Sequence, residues 1–141
     1  MELAQNELST PKALRVWFMI HFWADILFAI PLMVSPETCL EFFGWQKVDP
    51  FTTRLVAAAL FGIGIESLVA RHARLAAFRE MLNLKIIWSG AAIIGIGLSI
   101  WQGAQGRPFF AWVILSVFIG FNILWVFWRI KIKRLLDKST V

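Results

Sequence analysis

Two ionisable residues sit where a polypeptide would normally exclude them. The stretch WFMIHFWADILFAI, residues 17–30, is apolar nearly throughout yet carries His21 and Asp25. Four residues apart on a helix, they share one face. An imidazole and a carboxyl on one face can exchange or share a proton, or together grip a polar ligand group. Lipid contact would be costly for both, so an ionisable pair of this kind is a functional candidate by default. Glu66, Lys85 and Asn122 are three more polar residues inside otherwise apolar stretches. Glu66 and Lys85 fall at matching depth on consecutive segments, which predicts an ion pair that either fixes helix register or serves the site. Snorkelling of Lys85 to the membrane surface is the competing reading. Asn122 suits a hydrogen bond between helices. Arg54 is expected to pair with Asp49 or with lipid headgroups.

The elements that must carry these residues follow from hydropathy. Hydrophobic residues make up 59 % of the 141-residue chain, and the mean hydropathy is +0.70. Soluble domains are about 45–50 % apolar, and a chain this short could not bury the excess in its own core. Four apolar stretches, 13–34, 52–70, 82–101 and 108–128, each approach the ~20 residues that cross a bilayer. The expectation is one all-α integral membrane domain, a bundle of four transmembrane helices. The first stretch is too long for a secretory signal and is read as a retained span. Between the first two, Ser35-Pro36-Glu37 reads as a helix start and Gly44 as its end, giving a short interfacial helix over 36–43. The segment 102–107, QGAQGR, reads as a tight link between the last two spans.

By rise per residue, Asp25 lies roughly 18 Å into its span, near the midplane, with His21 about 6 Å shallower. Glu66, Lys85 and Asn122 enter the same half from the other spans. Small residues recur at every fourth position: Ala58 and Gly62 with Glu66 next in the row, then Ala91, Gly95, Ser99 and Gly103, then Ser116 and Gly120. Such rows predict close helix packing, with Glu66 turned toward protein. Trp17, Trp45, Trp101, Trp125 and Trp128 lie near span ends, where interfacial Trp is enriched.

Charge sets orientation and partners. The net charge is +5, but the basic residues cluster where apolar runs end, which suits anionic lipid headgroups rather than nucleic acid. Lys12, Arg15, Arg71, Arg74, Arg79, Arg129, Lys131, Lys133, Arg134 and Lys138 fall on one side, ten of the 14 Lys and Arg, against Lys47 and Arg107 on the other. The positive-inside rule then puts both termini in the cytoplasm.

Several chemistries are excluded or disfavoured. Cys39 is the only cysteine, so neither an internal disulfide nor a paired-cysteine metal site can form. No zinc-protease, nucleophile-elbow, P-loop or dinucleotide motif is present. With His21 and His72 the only histidines, a bis-His haem within the bundle is disfavoured. No metal or required cofactor is expected, with a quinone the one cofactor-like ligand retained.

At the first connection SPETCLEFFGW is followed by VDPFTTRLVAAALFGIGIESLVA. A Pro-led short helix, a Gly, then a DP-x-x-x-R entry into a Gly-containing span resembles small four-helix bacterial membrane proteins of the DoxX-like kind, over roughly residues 35–70. The resemblance implies a four-helix fold, a bacterial inner membrane as the setting and a link to respiratory or quinone-associated complexes, and it assigns no catalytic residue.

The function favoured is a non-catalytic membrane module: an accessory subunit, or a binder of a lipid or quinone between helices. An aromatic content that is all Phe and Trp suits an apolar ligand. Two other readings stay open. One is an intramembrane acid–base enzyme acting on a lipid through His21 and Asp25, with Glu66 or Lys85 stabilising charge. The other is proton-coupled transport by a homo-oligomer. A membrane-protein partner is compatible with all three.

Overall fold

The computed structural model describes residues 10–103 and 108–138. They form helices α1 (Lys12–Val34), α2 (Pro36–Phe42), α3 (Pro50–Val69), α4 (Leu75–Trp101) and α5 (Phe109–Lys138), with a 3-10 turn at Ala70–His72. No strand occurs among the described residues. Helices α1, α4 and α5, and α3 together with its 3-10 turn, are each long and apolar enough to cross a membrane. The all-α four-span class is therefore what the chain adopts.

Helix ends follow local chemistry. Asp49 caps α3: its carboxylate accepts from the backbone N–H groups of Phe51 and Thr52 at 3.1 and 3.3 Å and from the Thr52 hydroxyl. Pro50 occupies the first turn, where its missing N–H costs nothing. Arg54 does not pair with Asp49. Its Nε donates to the Met33 carbonyl at 3.2 Å, satisfying one of the orphan acceptors in the last turn of α1. Ser35 occupies the N-cap position of α2 but makes no side-chain capping bond. Helix α2 ends one residue earlier than the sequence suggests, and Gly44 follows at φ +93°. At that glycine a Cβ would come within 3.3 Å of Pro108 Cβ, so the connection also closes against the start of α5.

Two helices outrun their apolar spans. Helix α4 begins at Leu75 rather than at 82, and α5 continues to Lys138 rather than ending near 128. Charge ends a hydrophobic span but does not end a helix, because a helix keeps its backbone bonds in water as well as in lipid. The link 102–107 falls mostly outside the described residues, and Arg107 wholly so.

The helices pair as two hairpins: α1 packs along α3, and α4 along α5. The hairpins meet through side chains rather than through close backbone contact. At the end carrying Lys12 and Lys138, Leu14 and Phe18 of α1 lock into Leu75, Phe78, Met81 and Leu82 of α4 and Trp125, Trp128 and Ile132 of α5. The Phe18 ring meets Phe78 at 4.8 Å and Trp125 at 5.5 Å, both edge-on. Trp125 and Trp128 are thus core residues, not interfacial ones. At the opposite end Phe43 stacks on Phe110 at 3.9 Å, tying the loop after α2 to α5.

The rows of small residues do not mediate this packing. Ala58, Gly62, Ala91, Gly95, Ser99, Ser116 and Gly120 are exposed on the outside of the bundle, and a Cβ at Gly62, Gly95 or Gly120 would meet nothing. The close approach occurs instead at Gly64, where a Cβ would lie 2.9 Å from Asp25 Cβ and 3.6 Å from the Phe22 carbonyl oxygen. The α3 face that packs inward carries Ala57, Gly64 and Ser67.

Candidate functional site

His21 and Asp25 both turn inward and are buried. His21 Nδ1 lies 2.8 Å from Asp25 Oδ2. Beyond this contact, Asp25 Oδ2 is buried without a hydrogen-bond partner. The His21 ring packs edge-on against the stacked pair Phe121 and Trp125, at 4.8 and 5.2 Å. Gly64 makes room for the Asp25 side chain, so one glycine of α3 decides where a carboxylate of α1 can sit.

Lys85 comes to the same place from α4. It is 1 % exposed, so it does not snorkel to the surface. Its Nζ donates to Ser67 Oγ at 2.7 Å and lies 3.3 Å from His21 Nδ1. It also sits over the Phe18 and Trp125 rings, at 4.9 and 5.5 Å from their centroids. A buried ammonium needs such partners, because desolvation of an unpaired charge costs several kcal/mol. Ser67 in turn donates to the Ile63 carbonyl at 2.9 Å.

The expected Glu66–Lys85 ion pair is not formed. Glu66 is half-buried and acts on Lys85 only through space, whereas the neighbouring Ser67 reaches the ammonium. One residue along a helix is a rotation of about 100°. Matching depth therefore selected the right turn of α3 and the wrong face.

Asn122 completes the cluster from α5. Its amide donates to the Ile86 carbonyl at 3.0 Å and to Ser89 Oγ at 2.8 Å, and Ser89 donates to the Lys85 carbonyl at 2.7 Å. Asn122 thus binds α5 to α4, as its place in the sequence suggests. Four helices meet at one polar knot, but the α3 contribution is Ser67 rather than Glu66. Ser67 and Ser89 were the residues the sequence hid. Serine is common in apolar helices, and only the spacing of Ser89 four residues after Lys85 hinted at a shared face.

A cavity of about 200 Å³ adjoins this knot. His21, Asp25, Lys85 and Ser89 give it a polar end. Its walls are apolar: Phe28 and Leu32 of α1, Val56 and Leu60 of α3, Trp88 of α4, and Phe110, Val113, Val117 and Phe121 of α5. From His21 to Leu32 it runs roughly 16 Å along the helix axis, close to the ~15 Å half-thickness of a bilayer core. It lies between the two aromatic closures, in the seam between the hairpins. No group of three or more His, Cys, Asp or Glu able to hold a metal occurs among the described residues. Chemically the site offers a buried cation, a carboxylate with acceptor capacity, and an imidazole against both, at the base of an apolar slot. No family model, curated protein or solved structure matches the chain.

Proposed function

We propose that the protein is a small integral membrane protein that binds an apolar ligand of the lipid or quinone class in the seam between its helix hairpins, without itself catalysing a reaction. The observation that carries this reading is the slot with apolar walls and one polar end. Ligand pockets are mostly apolar with a few convergent polar groups that fix orientation, and this slot has that composition at membrane depth. The tail of a ligand would lie among Val113, Val117, Leu60 and Phe28, and its polar end would meet His21, Asp25 and Lys85. The distribution of basic residues supports cytoplasmic termini, and the resemblance to DoxX-like proteins supports a bacterial inner-membrane setting. The resemblance of residues 35–70 to DoxX-like proteins agrees with a quinone-associated context.

Native mass spectrometry of gently extracted protein tests the reading. The wild type is expected to carry a small apolar adduct that the folded Val113→Phe variant, with the slot narrowed, loses. A wild type with no adduct, or an adduct retained equally by the variant, would overturn it.

A further inference from the structure

The single ring nitrogen between Asp25 and Lys85 narrows the class of ligand. His21 Nδ1 lies 2.8 Å from Asp25 Oδ2 and 3.3 Å from Lys85 Nζ. A neutral imidazole nitrogen either carries a hydrogen or accepts one. If Nδ1 is protonated, it faces the carboxylate and leaves Lys85 a donor short of an acceptor. If it is bare, it faces the ammonium and leaves Asp25 Oδ2 without a donor. In either tautomer one buried polar group beside the slot lacks its complement, and which kind is missing depends on where the ring hydrogen sits. Asp25 Oδ2, buried with no hydrogen-bond partner beyond the His21 contact, agrees with this conflict.

We propose, building on the binding role above, that the slot takes a neutral long-chain molecule whose polar end is a hydroxyl. One hydroxyl both donates and accepts, so it completes the cluster in either tautomer. A carboxylate only accepts. It would also bring a second negative charge beside Asp25, with Glu66 already acting on Lys85 through space. The Asp25–Lys85 couple sums to zero charge whether the proton rests on the amine or has moved to the carboxyl, so an anionic head would enter uncompensated. Burying an uncompensated charge is strongly unfavourable. An ester or ether head is neutral but brings no donor, and it serves one tautomer only.

The test uses full-length protein in lipid nanodiscs and three probes with the same brominated tail: 9,10-dibromostearyl alcohol, 9,10-dibromostearic acid and its methyl ester. Bromine quenches tryptophan on contact. Trp88 lines the slot, so the signal is the saturable quenching present in the wild type and lost in Trp88→Phe. The alcohol is expected to bind at least tenfold more tightly than the acid or the ester. In Asp25→Asn, whose amide supplies both donor and acceptor, that advantage is expected to shrink to less than threefold. An acid or ester binding as tightly as the alcohol in the wild type overturns the hydroxyl assignment while leaving the slot a binding site. Absence of saturable quenching by all three probes overturns the binding role itself. The ranking of the three probes is read from saturable quenching in the wild type, and Trp88→Phe, its fold checked by circular dichroism, assigns that quenching to the slot.

Discussion

At the residue scale, Lys85 is the side chain most committed to its surroundings. It is fully buried, bonded to Ser67 and close to His21. Lys85→Met leaves Asp25 with less opposite charge, and breaking a buried charge cluster from one side typically costs about 3–5 kcal/mol. A double-mutant cycle separates direct from through-space partners. Lys85→Met with Ser67→Ala is expected to couple by ~1 kcal/mol, and Lys85→Met with Glu66→Gln by less than about 0.5 kcal/mol. Unfolding monitored in a fixed detergent measures both. A larger coupling to Glu66 than to Ser67 would mean that the ammonium turns to the carboxylate instead.

At the element scale, the contact between α1 and α3 depends on one glycine rather than on a row. Gly64→Ala forces a Cβ to 2.9 Å from Asp25 Cβ. Overpacking of this kind usually costs about 1–3 kcal/mol, and here it also displaces a residue of the site. Gly62→Ala faces open space and is expected to be neutral or slightly stabilising, since Ala favours helix over Gly. Thermal unfolding of the two variants decides it, and equal effects would place the α1–α3 contact elsewhere. At the start of α3 the Asp49 cap is exposed and titratable. The hydrogen bond from Thr52 holds its carboxyl below the usual value. Its contribution is therefore fully present above the ordinary Asp value near 4 and lost as pH falls through the lowered folded value. Protection of the Phe51 and Thr52 amides from hydrogen exchange, corrected for the intrinsic acid dependence, is expected to fall across that acidic window. In Asp49→Ala the same dependence should be absent.

At the scale of the whole molecule, two hairpins clasped at both ends by aromatic residues leave an unfilled middle. Leu14, Phe18, Leu75 and Trp125 close one end, and Phe43 on Phe110 closes the other. Lipid tails are as apolar as the side chains, so no hydrophobic drive collapses the seam, and packing and polar bonds alone decide where the hairpins touch. The polar knot and the aromatic closures supply those contacts, and the slot is what lies between them. Orientation in the membrane is a property of the same scale. In a Cys39→Ser background, Lys138→Cys is expected to react with a membrane-impermeant thiol reagent only from the cytoplasmic side and Lys47→Cys only from outside. The reverse pattern would invert the proposed topology.

The sequence by itself determined the four apolar helices and the short helix between the first two, because hydropathy, Pro36, Asp49-Pro50 and Gly44 act locally and need no partner. It also placed His21 and Asp25 together, because their spacing of four lies within one helix. Asn122 was legible as a bond between helices for a different reason: an amide in an apolar segment has few other uses. Tertiary structure alone decided the rest. Whether Glu66 or Ser67 meets Lys85 depends on the rotation of α3 about its axis, which depth along the chain does not fix. The same rotation sends Ala58 and Gly62 outward, although their spacing reads as a packing row, and brings Gly64 inward instead. Trp125 reads as an interfacial residue until α1 brings Phe18 and His21 against it. The slot is the least local feature of all. Its walls come from α1, α3, α4 and α5, so it exists only through the angle at which two hairpins meet.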